Sequence, residues 1–503
     1  MSDKILWDVL DTTTAFLDTV FELPLEQEML LADYDMPVFK IISSTVKHTI
    51  TQKYINGNRL VIEGFFRLEV FYQSAVPSRL TSVSKKIPFR KQIELTESVQ
   101  NPYFAVIEGE SQYINTRAVN SNRIESRGMY QFTVKAFTAR QHRIATAINS
   151  TTACSETEEV NYFSLCGRGI RQFSLEDEIN FGHTADKIIH ISAVPSSVNI
   201  RMYPDRVNVK GDIETEIIYS TDDTGEIHRL TKTFSCNQMV DIPGAGENDT
   251  AFAEISVMGV TVTSDNEQNK IRCMVTAQAD TRVFRQNSVI ALSDAFSRQY
   301  QYSSNRRKVS YDSRIIPVCG KIAVSTEDTA GRGYEGIYCT AMVTSPMLVE
   351  NNGKTELKTA VTFSAIVKNS REEYECLTKT EEVTIEIGKD IPYDIRCFAT
   401  VNPGRCYMQV SGDVLKAKTE ISVEGFILCR KSTDALIEFD EKTDNPDTTR
   451  EEALVIYYGK RGEKLFDIAK RYKSDIQMIM DENALEGKIL GDDSVLIIQS
   501  FGQ

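Results

Sequence analysis

The chain is poor in the residues that usually mark catalysis, metal binding or a bilayer. Its 503 residues include one tryptophan, Trp7, and five histidines: His48, His142, His183, His190 and His228. No two of these histidines stand four apart, the spacing that lets two imidazoles share a metal from one helix face. No Cys-x-x-Cys occurs among the ten cysteines, which all lie between Cys154 and Cys429. A phosphate-cradling G-x-x-x-x-G-K-[ST] loop and a G-x-S-x-G nucleophile elbow are both missing. No apolar run reaches the ~18 residues of a membrane helix, so no membrane span is expected. Residues Met1 to Leu10 carry acids and no small-residue cleavage site, so no secretory signal is expected either. Positive charge is also short, with 57 Lys and Arg against 71 Asp and Glu and a net charge of −14. Such a surface repels phosphate backbones, which argues against nucleic-acid binding.

With these absences no catalytic, metal-ligating or cofactor-binding residue is assigned, and the chain is read as a non-enzyme without a cofactor. The fragments that resemble sites have plainer readings. Gly331-Arg332-Gly333-Tyr334-Glu335-Gly336 has the glycine spacing of a dinucleotide loop, but a strand follows it where a helix is required. His183 and His190 flank Asp186 in a segment read as a loop entering a strand. Cys397 and Cys406 flank a turn at Asn402-Pro403-Gly404 and are expected across a hairpin, but two thiols do not make a zinc site. The cysteines are expected as reduced thiols, several buried in strands. Arg298 to Lys308 interleaves bases with Tyr300 and Tyr302 and is read as a solvated inter-domain stretch. Trp7 is expected to pack on the first domain.

What the chain does contain is β pattern. Arg59 to Tyr72 is dense in β-branched and aromatic residues, and Asn56-Gly57, Thr221 to Gly225 and Asn351 to Gly353 supply hairpin turns. Val61-Ile62-Glu63-Gly64 opens one strand and Asn208-Val209-Lys210-Gly211 opens another, an offset of 147 residues (211 − 64). At the same offset Arg59 meets Arg206, Glu69 meets Glu216 and Tyr72 meets Tyr219. A weaker third copy begins near Tyr334. A repeat this long exceeds a solenoid unit, so each copy is expected to be its own small β domain.

The predicted fold is therefore mainly β: three tandem sandwich-like or barrel-like modules over 1–175, 176–312 and 313–433, then an acidic linker over 434–452. The linker holds eight acids, two bases and Pro446. Beyond it, Leu454 to Tyr458 reads as a strand, and Leu465, Ile468, Ala469 and Tyr472 form one helical stripe. Ser474 is placed to cap a second helix ending near Asn483, and Val495 to Ile498 closes the unit as a strand. This gives a small βααβ domain over 453–503.

Gly462 to Tyr472, Asn483, Gly491 and Leu496-Ile497-Ile498 resemble a LysM domain, with Lys464 in place of the usual small hydroxyl residue and Gln499 in place of the terminal proline. The upstream repeats resemble SPOCS domains of spore-coat proteins, through Val209-Lys210-Gly211, Ile217-Ile218-Tyr219 and Asp241-Ile242-Pro243-Gly244-Ala245. Tandem SPOCS domains followed by one LysM domain resemble spore-envelope morphogenetic scaffolds. That resemblance implies a protein of the mother-cell cytoplasm and then of the forespore surface, whose LysM module binds the coat's basement-layer ATPase or other coat proteins. The alternative it leaves is a binder of peptidoglycan or N-acetylglucosamine oligomers.

Charge in the last unit is split. Lys460 to Lys473 holds six bases against two acids, and Asp475 to Gln503 holds six acids against Lys488. A protein partner can read such a split, whereas a neutral glycan gives it no role. Lys460, Arg461, Lys464 and Phe466 are the expected contact, with Phe466 as an exposed apolar anchor because it lies off the helix stripe.

Overall fold

The computed structural model describes residues 5–33, 35–75, 78–99, 101–180, 185–221, 226–265, 270–329, 333–351, 354–389, 391, 394–446 and 454–499. One strand plan runs three times along the first 446 residues. The first unit consists of β1 (Ile5–Leu30), β2 (Val38–Asn56), β3 (Arg59–Ser74), β4 (Leu80–Glu94), β5 (Tyr103–Asn120) and β6 (Arg123–Ile148). Strands β2, β3 and β4 form one antiparallel meander, and β1, β6 and β5 form a second sheet in that order. The β2–β3 turn is the Asn-Gly kind expected, with Asn56 opposite Arg59 and Gly57 at φ 61°.

The second unit repeats this plan with β7 (Ala153–Asn180), β8 (Ala185–Tyr203), β9 (Arg206–Thr221), β10 (Ile227–Asp241), β11 (Thr250–Asp265) and β12 (Lys270–Ser297). The third uses β13 (Tyr300–Thr329), β14 (Glu335–Val343), β15 (Met347–Asn351), β16 (Lys354–Lys368), β17 (Tyr374–Lys389), β18 (Ile395–Ser411) and β19 (Val414–Pro446). Here β14 and β15 share the place that β2 and β8 fill alone, both pairing with β16. In every unit the long first strand pairs with the last: β1 with β6, β7 with β12, β13 with β19.

The two sheets of each unit face each other across an apolar core. In the first, Phe66, Leu68, Val70 and Tyr72 of β3 meet Ile124, Tyr130 and Phe132 of β6. In the second, Val207, Val209 and Ile213 of β9 meet Ile271, Cys273 and Val275 of β12. These side chains sit two apart, as a strand with one covered face requires.

The three units then close on one another at equivalent positions. Phe71, Ile218 and Ile366 come together with Leu80, Ile189, Tyr338 and Tyr374 in one buried cluster. Phe104, Phe284, Phe398 and Phe426 form a second, aromatic cluster with Phe137. Phe104 and Phe137 stack with centroids 5.2 Å apart, Phe137 meets Phe398 edge-on at 4.9 Å, and Phe398 and Phe426 are tilted at 5.0 Å. A buried ion cluster joins the first two units: Asp280 receives both Arg168 nitrogens at 2.7 and 2.9 Å and lies 3.0 Å from Lys53.

Several expectations require correction. Strand pairing places 153–180 in the second unit and 300–329 in the third, so the pairing divides the chain earlier than 175 and 312. The acidic stretch after Asp434 is strand as far as Pro446, because Ala435, Leu436 and Phe439 turn inward while its acids alternate outward. One of those acids, Glu441, is itself buried and accepts from Thr152 and Ser297. Residues 447–452 lie outside the described residues. Cys406 stands 2.7 Å from Cys339 rather than opposite Cys397. His183 and residues 330–332 of the glycine-spaced segment lie outside the described residues, while His190 is buried against Glu69 at 2.8 Å. Arg298 and Arg306 of the basic stretch are paired with Asp475 and Asp294. Trp7 sits on β1 under the guanidinium of Arg143, 4.4 Å from its ring.

The last unit has the expected order, β20 (Leu454–Gly459), α1 (Leu465–Tyr472), α2 (Ile476–Glu482) and β21 (Ser494–Gln499). Asp475 caps α2, accepting from the Gln477 and Met478 amides. Ser474, expected there, is buried and donates to the Gln499 carbonyl instead. No helix among the described residues is long and apolar enough to cross a membrane.

Candidate functional site

The C-terminal unit has two contrasting faces. Helices α1 and α2 cover one side of the β20–β21 pair, where Leu465, Ile468, Ala469, Ile479, Leu496 and Ile498 form a core. Part of the same cluster comes from outside the unit, because Phe296 of β12 inserts against Phe466. Phe466 is only 4% exposed. It is not a free anchor: the off-stripe position is apolar because α1 packs on two sides, its own sheet and the second unit.

Ion pairs fix that contact. Lys464 Nζ lies 2.8 Å from Glu156, Lys470 Nζ 2.6 Å from Asp294, and Arg298 2.7 Å from Asp475. The Glu156 carboxylate raises the Lys464 pKa, a further sign that the pair holds the charged form. Asp294 is nearly buried and also receives Arg306 at 3.4 Å. Much of the basic surface of α1 is therefore spent within the chain, on acids of β7 and β12.

Of the four residues expected to face a partner, Phe466 is buried, while Lys464 stays exposed and is ion-paired with Glu156. Lys460 and Arg461 remain exposed on the turn after β20. Their backbone amides donate to Glu463 at 3.1 Å and to Asp493 at 2.8 Å, which holds the turn in shape.

The opposite side of the β20–β21 pair is apolar and open. Leu454, Ile456 and Tyr458 of β20 project beside Val495 and Ile497 of β21, with Ile456 opposite Ile497 and Tyr458 opposite Val495. Tyr458 is 76% exposed and Ile456 61%, and Ile489 adds a further exposed apolar side chain. Adjacent positions on paired strands lie within ~5 Å, so these residues make a continuous surface. Lone exposed apolar residues are ordinary, but a cluster on one face marks an interaction site. The sequence carried the signal: five consecutive apolar residues, 454–458, exceed what a strand with one covered face needs.

Among the described residues no group of three His, Cys, Asp or Glu could hold a metal ion. The buried titratable groups sit in contacts between strands. His48 Nδ1 lies 2.8 Å from the Tyr130 hydroxyl, and burial pushes its pKa down to about 4. Burial alone would raise the Asp280 pKa; Lys53, Arg282 and Arg168 outweigh that and hold the carboxyl far below the usual range.

Residues 37–118 and 184–264 match the family model described as SipL, SPOCS domain. The first segment runs through β2 to β5 and the second through β8 to β11, equivalent portions of the first two units. Comparison with curated proteins and with solved structures returned no match. The repeated strand order and the two matched segments agree, and these two portions of the chain are similar to the SipL, SPOCS domain family.

Proposed function

We propose that this chain is a non-enzymatic spore-envelope scaffold whose C-terminal, LysM-like unit recruits a coat protein, the basement-layer ATPase. In this reading the third unit is a further SPOCS-like module and the three together form a rigid base. The protein works from the mother-cell cytoplasm onto the forespore surface.

One observation carries the reading: the outer face of β20–β21, where Leu454, Ile456, Tyr458, Val495 and Ile497 stand exposed together. A protein–protein contact draws most of its energy from a few aromatic and aliphatic side chains that become fully desolvated. Tyr458 and Ile456 have that chemistry, and Lys460 and Arg461 stand beside them to steer an acidic partner surface. The inward helix face supports the same direction. By holding Lys464, Lys470 and Phe466, the second unit orients the C-terminal unit so that its apolar strand face points away from that contact.

The test is capture on the full chain. Immobilised full-length protein is offered the coat ATPase and, separately, cortex peptidoglycan fragments. Retention of the ATPase with loss on Tyr458→Ala supports the reading. Retention of peptidoglycan alone replaces it with the glycan reading.

A further inference from the structure

The third unit differs from the other two in its meander. Strands β2 and β8 have 19 residues each, whereas β14, which shares their place with β15, has nine. A strand so short has fewer ladder hydrogen bonds to hold it on its sheet. Cys339 stands in the middle of β14, opposite Ala365 of β16. Ser44 opposite Val70 and Ile191 opposite Ile217 fill the equivalent places in the first and second units. The repeat itself therefore does not require a thiol here.

Cys406 lies on β18, which belongs to the other sheet of the third unit. The two sheets face each other, and the two sulfurs meet across the core at 2.7 Å. Both thiols are free, and Cys339 is 1% and Cys406 4% exposed. Phe363, Ala365, Leu415 and Ala417 pack in the same cluster. A disulfide bond is ~2.05 Å long, so the sulfurs have to close by less than ~1 Å, within reach of small side-chain rotations.

Both cysteines also wall a cavity of about 240 Å³ between the second and third units. Such a space admits water-sized molecules, so a small peroxide has a way to the pair. Local opening of the short β14 is a second way in. Cys339 donates its S–H to Cys406 Sγ. That bond and burial push the Cys339 thiol far up, which keeps it protonated and leaves Cys406 as the first nucleophile.

We propose that Cys339 and Cys406 are an oxidative modification site, at which a peroxide joins them in a disulfide that staples β14 to β18. Cys406 gives up its proton, and its sulfur attacks one peroxide oxygen. The O–O bond breaks, a sulfenic acid forms at Cys406, and the departing hydroxide takes the proton to become water. Cys339 Sγ then attacks the sulfenic sulfur. The S–S bond forms, the S–O bond breaks, and the second hydroxide leaves as water with the Cys339 proton. Two thiols lose two electrons and hydrogen peroxide gains them. The link joins positions 67 apart in the chain, so it restricts the unfolded chain strongly and fixes the weakest strand of the third meander. The site is independent of the β20–β21 face, so failure of either reading leaves the other standing.

The experiment exposes folded, fully reduced full-length protein to hydrogen peroxide, then blocks the remaining thiols with iodoacetamide in denaturant. Tryptic peptides are read by mass spectrometry without reduction. Cleavage after Arg396 and Arg405 puts Cys397 and Cys406 on separate peptides, so the partner of Cys339 is unambiguous. The expected result is that the Cys339 and Cys406 peptides are joined as the main cross-linked species. The link is absent from Cys339→Ala and from Cys406→Ala. In the oxidised wild type, amide exchange of β14 slows at least about tenfold relative to the reduced protein, and the two variants show no such slowing. The proposal is overturned if both thiols remain alkylatable after peroxide, if Cys339 is joined to a cysteine other than Cys406, or if Cys406 is carried on to the sulfinic acid without a link. Unchanged β14 exchange in the linked protein would overturn the stapling role.

Discussion

Phe466 of α1 meets Phe296 of β12 edge to face, with ring centroids 5.5 Å apart and planes at 67°. Through this contact the second sandwich unit completes the core of the C-terminal unit. A domain of about 50 residues has little stability of its own, so an aromatic borrowed from a neighbour is a large share of its total.

Phe296→Ala is therefore expected to loosen the C-terminal unit while the sandwiches stay folded. Phe296 is fully buried, and such a truncation costs ~3–5 kcal/mol. Hydrogen exchange in the full chain is the readout: amides of α1 lose protection, and those of β3 and β9 keep theirs. Unchanged exchange in α1 would show that the two units are independent.

Ile468→Asp attacks the same core from inside. Ile468 is 3% exposed, and an unpaired carboxylate there costs several kcal/mol or is forced neutral. Loss of the helical circular-dichroism signal of α1 and α2 at 25 °C is expected. An unaltered signal and melting curve would place Ile468 outside the core.

Asp280→Asn is expected to cost ~3–5 kcal/mol, since it leaves Arg168 and Lys53 buried without their counter-charge. The pH dependence follows from the lowered pKa. A carboxylate held below its unfolded value adds stability above pH ~4 and loses it only as pH falls through the lower folded value. Urea midpoints at pH 7 and pH 5 should therefore both drop in the variant, by similar amounts. A drop at pH 7 alone would contradict the assignment.

His48 acts in a different pH range. With its folded pKa pushed down to about 4, the unfolded chain takes up a proton near pH 6.5 that the folded chain refuses. Stability then falls as pH drops from 7 towards 4. His48→Gln is expected to flatten that slope in urea titrations between pH 7 and 5; an unchanged slope would remove His48 as its source.

Much of the architecture was legible in the sequence. The 147-residue offset that aligns Gly64 with Gly211 is the offset between the starts of the two matched segments, 37 and 184. The boundaries were less legible because strand partners are distant. β7 follows β6 in the chain but pairs with β12, and nothing local to 153–180 announces that choice. The acidic stretch after Asp434 has the composition of a linker, and only the parity of its apolar residues marks it as a strand. Ala435, Leu436 and Phe439 face inward while most of the acids between them face out.

The contact residues show the same limit. Phe466 lies off the one helix stripe that accounts for the unit's own core, and a second packing surface leaves no periodic mark. Leu454 to Tyr458 held the opposite lesson: an unbroken apolar strand in a two-stranded sheet has more apolar side chains than one covered face can use.

The most direct measurement is the affinity of full-length protein for the coat ATPase, by titration calorimetry, in wild type and in the double variant Ile456→Lys with Ile497→Glu, whose opposite charges face each other across the strand pair. Both residues are exposed, so the substitutions leave the melting temperature near its wild-type value. The expected result is a Kd raised at least about thirtyfold, the ~2 kcal/mol of an interface hot spot, with melting unchanged. An unchanged Kd with both strands of the face altered would contradict the claim that the β20–β21 surface is where the partner docks.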